Sequence, residues 1–251
     1  MLTLDRRLAL PHDEVHGRVF VTQPEAPGRY PLLFLLMDAP GVRPELFAMA
    51  RRLATFGCVV AVPDLYRRTL RDPQAAAGLA AGARTAMYHH MNALTAAQVI
   101  DDLRELRTLL AREPQIDTHN MGVIGYCMSG PFAIQAAAAF GQTMRMAASI
   151  HGVRLFCAAQ RSAHRVLGRL DARLYVATGT LDPWAPPALV DGLERSLREA
   201  RCRYRLARFA DAGHGFVFPG RPAYQRAAAQ AHWADLAQLR RQALPPPADL
   251  P

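Results

Sequence analysis

Met121-Gly-Val-Ile-Gly-Tyr-Cys-Met-Ser-Gly130 is the stretch on which the reading of this chain turns. A short apolar run reaches Gly125, the chain turns at Cys127, and an alanine-rich, helix-like run follows Ser129 and Gly130. The pattern, Gly-x-Cys-x-Ser, is that of a nucleophile elbow with cysteine in the place usually held by serine. Small residues two positions either side of the nucleophile make room for a tight strand-to-helix turn. That turn pushes the central side chain out at the top of a sheet. A thiol there also sits at a helix N-terminus, a setting that favours the thiolate. The alternative is a buried cysteine in a glycine-rich turn.

Downstream residues support the elbow. Residues 173–178 form a buried, strand-like run, and the loop after it, Gly-Thr-Leu-Asp-Pro-Trp, carries Asp182. Residues 203–209 alternate like an outer strand and lead to Ala-Gly-His-Gly-Phe, with His214 between two glycines. The chain order nucleophile, acid, histidine is the order of α/β-hydrolases, unlike that of chymotrypsin or subtilisin. Asp182 before Pro183 also suits a turn or cap. As a set in this order, Cys127, Asp182 and His214 are read as a catalytic triad.

The rest of the chain fits this frame. A buried strand is expected over residues 31–37, a helix from Pro44 to Phe56 closed by Gly57, and a second buried strand over 58–62. Thr95-Ala-Ala-Gln98 is a capping box opening a helix with Val99, Ile100, Leu103, Leu106 and Leu110 on one side. Further strands are expected near 18–23 and 146–151, with helices over 188–200 and 222–243. Strands alternating with helices predict an α/β fold: a mostly parallel central sheet covered by helices on both faces. The 251 residues suit one domain, 1–251, with an irregular excursion near 67–93 and a loose tail over 244–251.

Composition narrows the function classes. Hydrophobic residues make up 51% and charged residues 20%, ordinary for a globular protein. The net charge is +9 and every basic residue is arginine, but the arginines are scattered and no nucleic-acid module accompanies them. No signal-peptide core or membrane-length apolar run is present, so a cytoplasmic location and no membrane partner are expected. Cys58, Cys127, Cys157 and Cys202 show no Cys-x-x-Cys spacing. Tyr88-His89-His90 brings two adjacent histidines but no further ligands, so no metal is expected. No cofactor is implied. His151 ends a strand and reads as a core histidine.

These motifs resemble the dienelactone hydrolase family, the cysteine-nucleophile α/β-hydrolases also called carboxymethylenebutenolidases. The similar segments are Met37-Asp38-Ala39-Pro40-Gly41-Val42, Val62-Pro63-Asp64-Leu65-Tyr66, Gly125 to Gly130, Asp182-Pro183-Trp184 and Gly213-His214-Gly215-Phe216. The resemblance implies that Asp38 occupies the place of a glutamate that gates the resting cysteine. Its alternative role is to anchor the loop. Fold and sequence together place an oxyanion hole at the backbone N–H groups of Met128 and Ala39, since Pro40 has none. Family members that take dienelactones hold the substrate carboxylate with arginines, one of them four residues after the histidine. That position is Phe218 here, which points to a more apolar pocket. Arg84 and Arg154 are candidate anion contacts, and Trp184 a candidate pocket wall. The expected activity is hydrolysis of a small ester, lactone or thioester by a monomer or homodimer. A non-catalytic binding or redox-sensor protein is the alternative.

Overall fold

A computed structural model of the chain describes residues 2–10, 19–69, 84–159 and 162–250; the side chain of Arg84 and most of the expected excursion lie outside them. The described elements are β1 (Thr3–Leu8), β2 (Val19–Pro24), β3 (Tyr30–Leu36), α1 (Pro44–Ala54), β4 (Val59–Pro63), α2 (Arg84–Ala93), α3 (Ala96–Leu110), β5 (Ile116–Tyr126), α4 (Gly130–Phe140), β6 (Met144–Ile150), β7 (Arg173–Gly179), α5 (Pro187–Glu199), β8 (Tyr204–Phe209) and α6 (Arg226–Ala243). Eight strands form one mostly parallel sheet in the order β1-β2-β4-β3-β5-β6-β7-β8. This is the α/β-hydrolase arrangement.

The chain divides into two compact units, residues 1–122 with 245–251, and residues 123–244. In the first, β1 pairs antiparallel with β2, β2 antiparallel with β4, and β3 parallel with β4. Every residue of β3 and β4 is buried. Successive side chains of a strand point to opposite faces, so both faces are covered there, as continuous apolar runs require. Helix α1 opens with Pro44 and is followed by Gly57 at φ +81°, a left-handed position that suits glycine. At α3 the capping box forms: Gln98 N–H donates to Thr95 Oγ1 at 3.3 Å, and Thr95 N–H donates to Gln98 Oε1 at 2.9 Å. The C-terminal tail is not loose throughout. Ala248 exchanges both backbone hydrogen bonds with Arg29, at 2.7 and 3.0 Å.

In the second unit, β6, β7 and β8 run parallel, with Ile150 opposite Ala177 and Gly179 opposite Phe209. This register brings the loops that begin at His151, Thr180 and Ala210 together at the C-terminal ends of the strands. Helix α4 packs on β6, and α6 packs on β6 and β7. Buried Leu236 and Leu239 of α6 and Ile134 and Ala137 of α4 supply apolar contact.

Candidate active site

The site is built from three loops of the second unit. The first is the elbow. β5 ends at Tyr126, Cys127–Ser129 make a single 3₁₀ turn, and α4 begins at Gly130. Cys127 has φ +53°, a left-handed conformation that costs a non-glycine residue free energy. A Cβ on Gly125 would lie 2.0 Å from the Ser129 carbonyl oxygen, and one on Gly130 would lie 2.4 Å from Ser149 Oγ. Only glycine permits this turn. Val153 N–H donates to the Cys127 carbonyl at 3.2 Å and ties the elbow to the loop after β6.

The second and third loops are fastened to each other. Thr180 N–H donates to the Phe209 carbonyl at 2.9 Å, Leu181 N–H to the Ala212 carbonyl at 3.0 Å, and Asp211 N–H to Thr180 Oγ1 at 2.9 Å. A Cβ on Gly179 would lie 2.1 Å from the Ala212 oxygen, so the approach depends on glycine. Asp182 follows Gly179 in this turn. Its Oδ1 accepts from Trp184 N–H at 2.9 Å, which fixes the carboxylate and leaves Oδ2 for the histidine.

The three side chains align. His214 Nδ1 lies 2.8 Å from Asp182 Oδ2, and its Nε2 lies 3.1 Å from Cys127 Sγ. Asp182 is buried, Cys127 nearly so, and His214 keeps a solvent-facing edge. Burial alone would pull the imidazolium of His214 down, but its hydrogen bonds to Asp182 and Cys127 and their charges outweigh burial and push it up to about 9. The arrangement can hold a proton on His214 beside sulfur at neutral pH.

The other expected residues divide into groups. Met128, the residue after Cys127, is buried as the second residue of the 3₁₀ turn. Arg154 and Trp184 line one small cavity of about 20 Å³, walled by Leu155, Phe156, Val190 and Leu193. Trp184 is half exposed there. Phe218, expected at the pocket, is fully buried against Tyr126 and His151, with ring centroids 5.5 and 5.6 Å away. The reason lies in the turn after His214, where Phe218 N–H donates back to the Gly215 carbonyl at 3.0 Å. Arg221 stacks its guanidinium 4.6 Å from the Phe218 ring centroid. In the first unit, Asp38 is completely buried and ion-paired with Arg43, which also holds Glu45 at 2.7 Å. Arg43 was not singled out in the sequence; an arginine five residues past a buried acid is a weak signal. The Ala39 carbonyl accepts from Tyr66 Oη at 2.8 Å, which orients that peptide. Arg84 opens α2, and its side chain lies outside the described residues. Among the described residues no three His, Cys, Asp or Glu side chains gather as a metal site, and no helix is long and apolar enough to cross a membrane.

Known proteins of one family are similar to this chain. A protein of Synechocystis sp., provisionally named carboxymethylenebutenolidase, is 23% identical over 92% of this chain and 94% of its own length. A protein of Escherichia coli K12 with the same provisional name is 24% identical over 83% of this chain and 76% of its own. Among solved structures, a provisionally named dienelactone hydrolase from Klebsiella pneumoniae superposes with a TM-score of 0.85 at 21% identity, covering 96% of this chain and 100% of that one. A dienelactone hydrolase-like promiscuous phosphotriesterase from metagenomic libraries superposes at 0.73 and 18% identity, covering 97% and 99%. At these identities the structures speak to the fold alone. The family model of the dienelactone hydrolases matches residues 18–244, and the chain belongs to the dienelactone hydrolase family.

Proposed function

We propose that the protein hydrolyses an ester or lactone through a thioester acyl-enzyme on Cys127. One observation carries the reading: sulfur, imidazole and carboxylate stand in a line, with separations of 3.1 and 2.8 Å, on a strained elbow. In the resting pair, His214 holds a proton on Nε2 beside the Cys127 thiolate. The thiolate attacks the substrate carbonyl, and the carbonyl π pair moves to oxygen. The Met128 N–H, first after the nucleophile, stabilises that oxyanion. On the sequence pattern Ala39 is the second donor. Collapse of the tetrahedral adduct expels the alcohol oxygen, which takes the Nε2 proton of His214. Neutral His214 then takes a proton from water as that water attacks the thioester. The second adduct collapses, the acid leaves and the thiolate–imidazolium pair returns. Asp182 holds the imidazole in the tautomer that presents Nε2 to sulfur throughout.

Trp184, half exposed two residues past Asp182, is a candidate wall for the substrate and Arg154 a candidate contact for a polar end; the cavity they share, about 20 Å³, has room for no more than about one water. The ion pair with Arg43 supports Asp38 as an anchor of its own loop; any gating role would require that pair to open. The test is turnover of a chromogenic ester and a simple lactone by the wild type, His214→Ala and Cys127→Ala. Both variants should fold and lose activity by orders of magnitude. Activity in Cys127→Ala equal to that of the wild type would refute the reading.

A further inference from the structure

His151 follows β6 and is a titratable side chain beside the triad. It is completely buried. Its ring centroid lies 4.9 Å from that of His214, in an edge-to-face arrangement at 70°. Tyr126, Phe218 and Phe216 close the other sides at 5.8, 5.6 and 5.9 Å. The backbone is held in place to aim it: φ is +38°, and the N–H donates to the Ala177 carbonyl at 2.7 Å. Both ring nitrogens are buried, and neither reaches a hydrogen-bond partner on another described residue.

That last fact is unusual. A phenylalanine of nearly the same shape would fill the cage without desolvating two polar atoms, and unpaired buried polar groups destabilise a fold. A histidine kept at such a cost suggests that its ring chemistry is used. None of its surface is exposed. What it touches is the ring of His214.

We propose that His151 is a positioning residue for the triad: an uncharged imidazole that fixes the plane of the His214 ring and stabilises its cation. This rests on the triad reading above. The nitrogens of a neutral imidazole give its ring an in-plane dipole that a phenyl ring lacks, and a lone-pair nitrogen turned toward His214 favours that ring's cation. The role requires that His151 itself never take a proton. Burial first, and then the charges of His214, Arg221 and His232, hold it well below its ordinary value of 6.5. The same groups, with Tyr126 from β5 and Phe216 and Phe218 from the loop after β8, are what face it. Tyr126 is itself anchored by His232, with Oη 3.1 Å from Nε2.

The decisive variant is His151→Phe, which keeps the ring contact and removes the nitrogens. It should melt no lower than the wild type. Its kcat should fall about five- to ten-fold with KM unchanged, the size expected when one neutral hydrogen-bonding dipole beside a cation is lost while the ring contact stays. The high-pH limb of its pH–rate profile should move to lower pH as the His214 cation loses support. A folded His151→Phe enzyme with wild-type kcat and an unmoved limb overturns the proposal. Should that variant fail to fold, nitrogen NMR of the wild-type imidazoles still decides. His151 must stay neutral from pH 5 to pH 10 while His214 titrates, and a His151 that protonates between pH 5 and pH 8 overturns the proposal. Failure of the triad reading shows separately, as turnover surviving in His214→Ala.

Discussion

Replacing Asp182 by Asn removes one charge and almost no volume. The carboxylate is buried, receives Trp184 N–H on Oδ1 and meets His214 Nδ1 on Oδ2 at 2.8 Å. His214 is held up to about 9 against an ordinary 6.5. At roughly 1.4 kcal/mol per pH unit, that interval is about 3 kcal/mol of preference for the imidazolium, shared among its partners and net of burial. Asn keeps the Trp184 bond but offers Nδ1 a neutral amide, so a large part of that preference is lost. The imidazole is also no longer confined to the productive tautomer. We expect kcat/KM for a chromogenic ester at pH 8 to fall on the order of a thousand-fold, with the His214 proton dissociating at clearly lower pH. Stability provides an independent check. A histidine whose folded value is raised contributes stability that is fully present below pH 6.5 and is lost as pH rises through about 9. The wild type should therefore lose melting temperature over that window, and Asp182→Asn should lose less. A variant within two-fold of wild-type kcat/KM, with an unchanged His214 titration, would refute the reasoning.

Three further outcomes follow from the same geometry. Gly125→Ala places a Cβ 2.0 Å from Ser129 O, so the elbow must open; denaturation should show a loss of about 2–4 kcal/mol and turnover should drop at least a hundred-fold. Asp102→Ala removes one of the two carboxylates on the buried guanidinium of Arg67, 2.7 Å away, and leaves Glu105 at 3.0 Å; urea unfolding should show a loss of about 1–3 kcal/mol, with kcat of the folded enzyme unchanged. Phe218 stands four residues past His214, where an arginine would meet a substrate carboxylate, so of a matched methyl ester and free carboxylate the wild type should prefer the ester about ten-fold in kcat/KM, a preference that Arg154→Ala should leave in place.

Much of the site region was legible because its chemistry is local in sequence. Gly125-Tyr-Cys-Met-Ser carries its own steric demand, and the structure shows why: the Ser129 carbonyl occupies the space of a Gly125 side chain. Runs such as Leu32–Leu36 read as strands because they are apolar on both faces. β1 was missed for the opposite reason. Thr3–Leu8 is an edge strand with Asp5, Arg6 and Arg7 in its middle, and an edge open to solvent needs no apolar alternation. The helix Arg84–Ala93 lay hidden in an alanine- and arginine-rich stretch without a cap signal. Phe218 shows the limit of counting along a loop. Four residues past His214 the chain has already turned inward, and a tertiary cage of Tyr126 and His151 decides where the ring goes. The pairing of Asp38 with Arg43 and the contact of His151 with His214 are likewise events of folded space, invisible to spacing.

The central claim is a covalent acyl group on Cys127, and rapid mixing with a p-nitrophenyl ester tests it most directly. The wild type should release a burst of one equivalent of p-nitrophenol per protein and gain the mass of one acyl group, which peptide mapping should place on Cys127. Cys127→Ala should show neither burst nor adduct. Steady hydrolysis by the alanine variant at the wild-type rate, or an acyl group found on another residue during the burst, would contradict it.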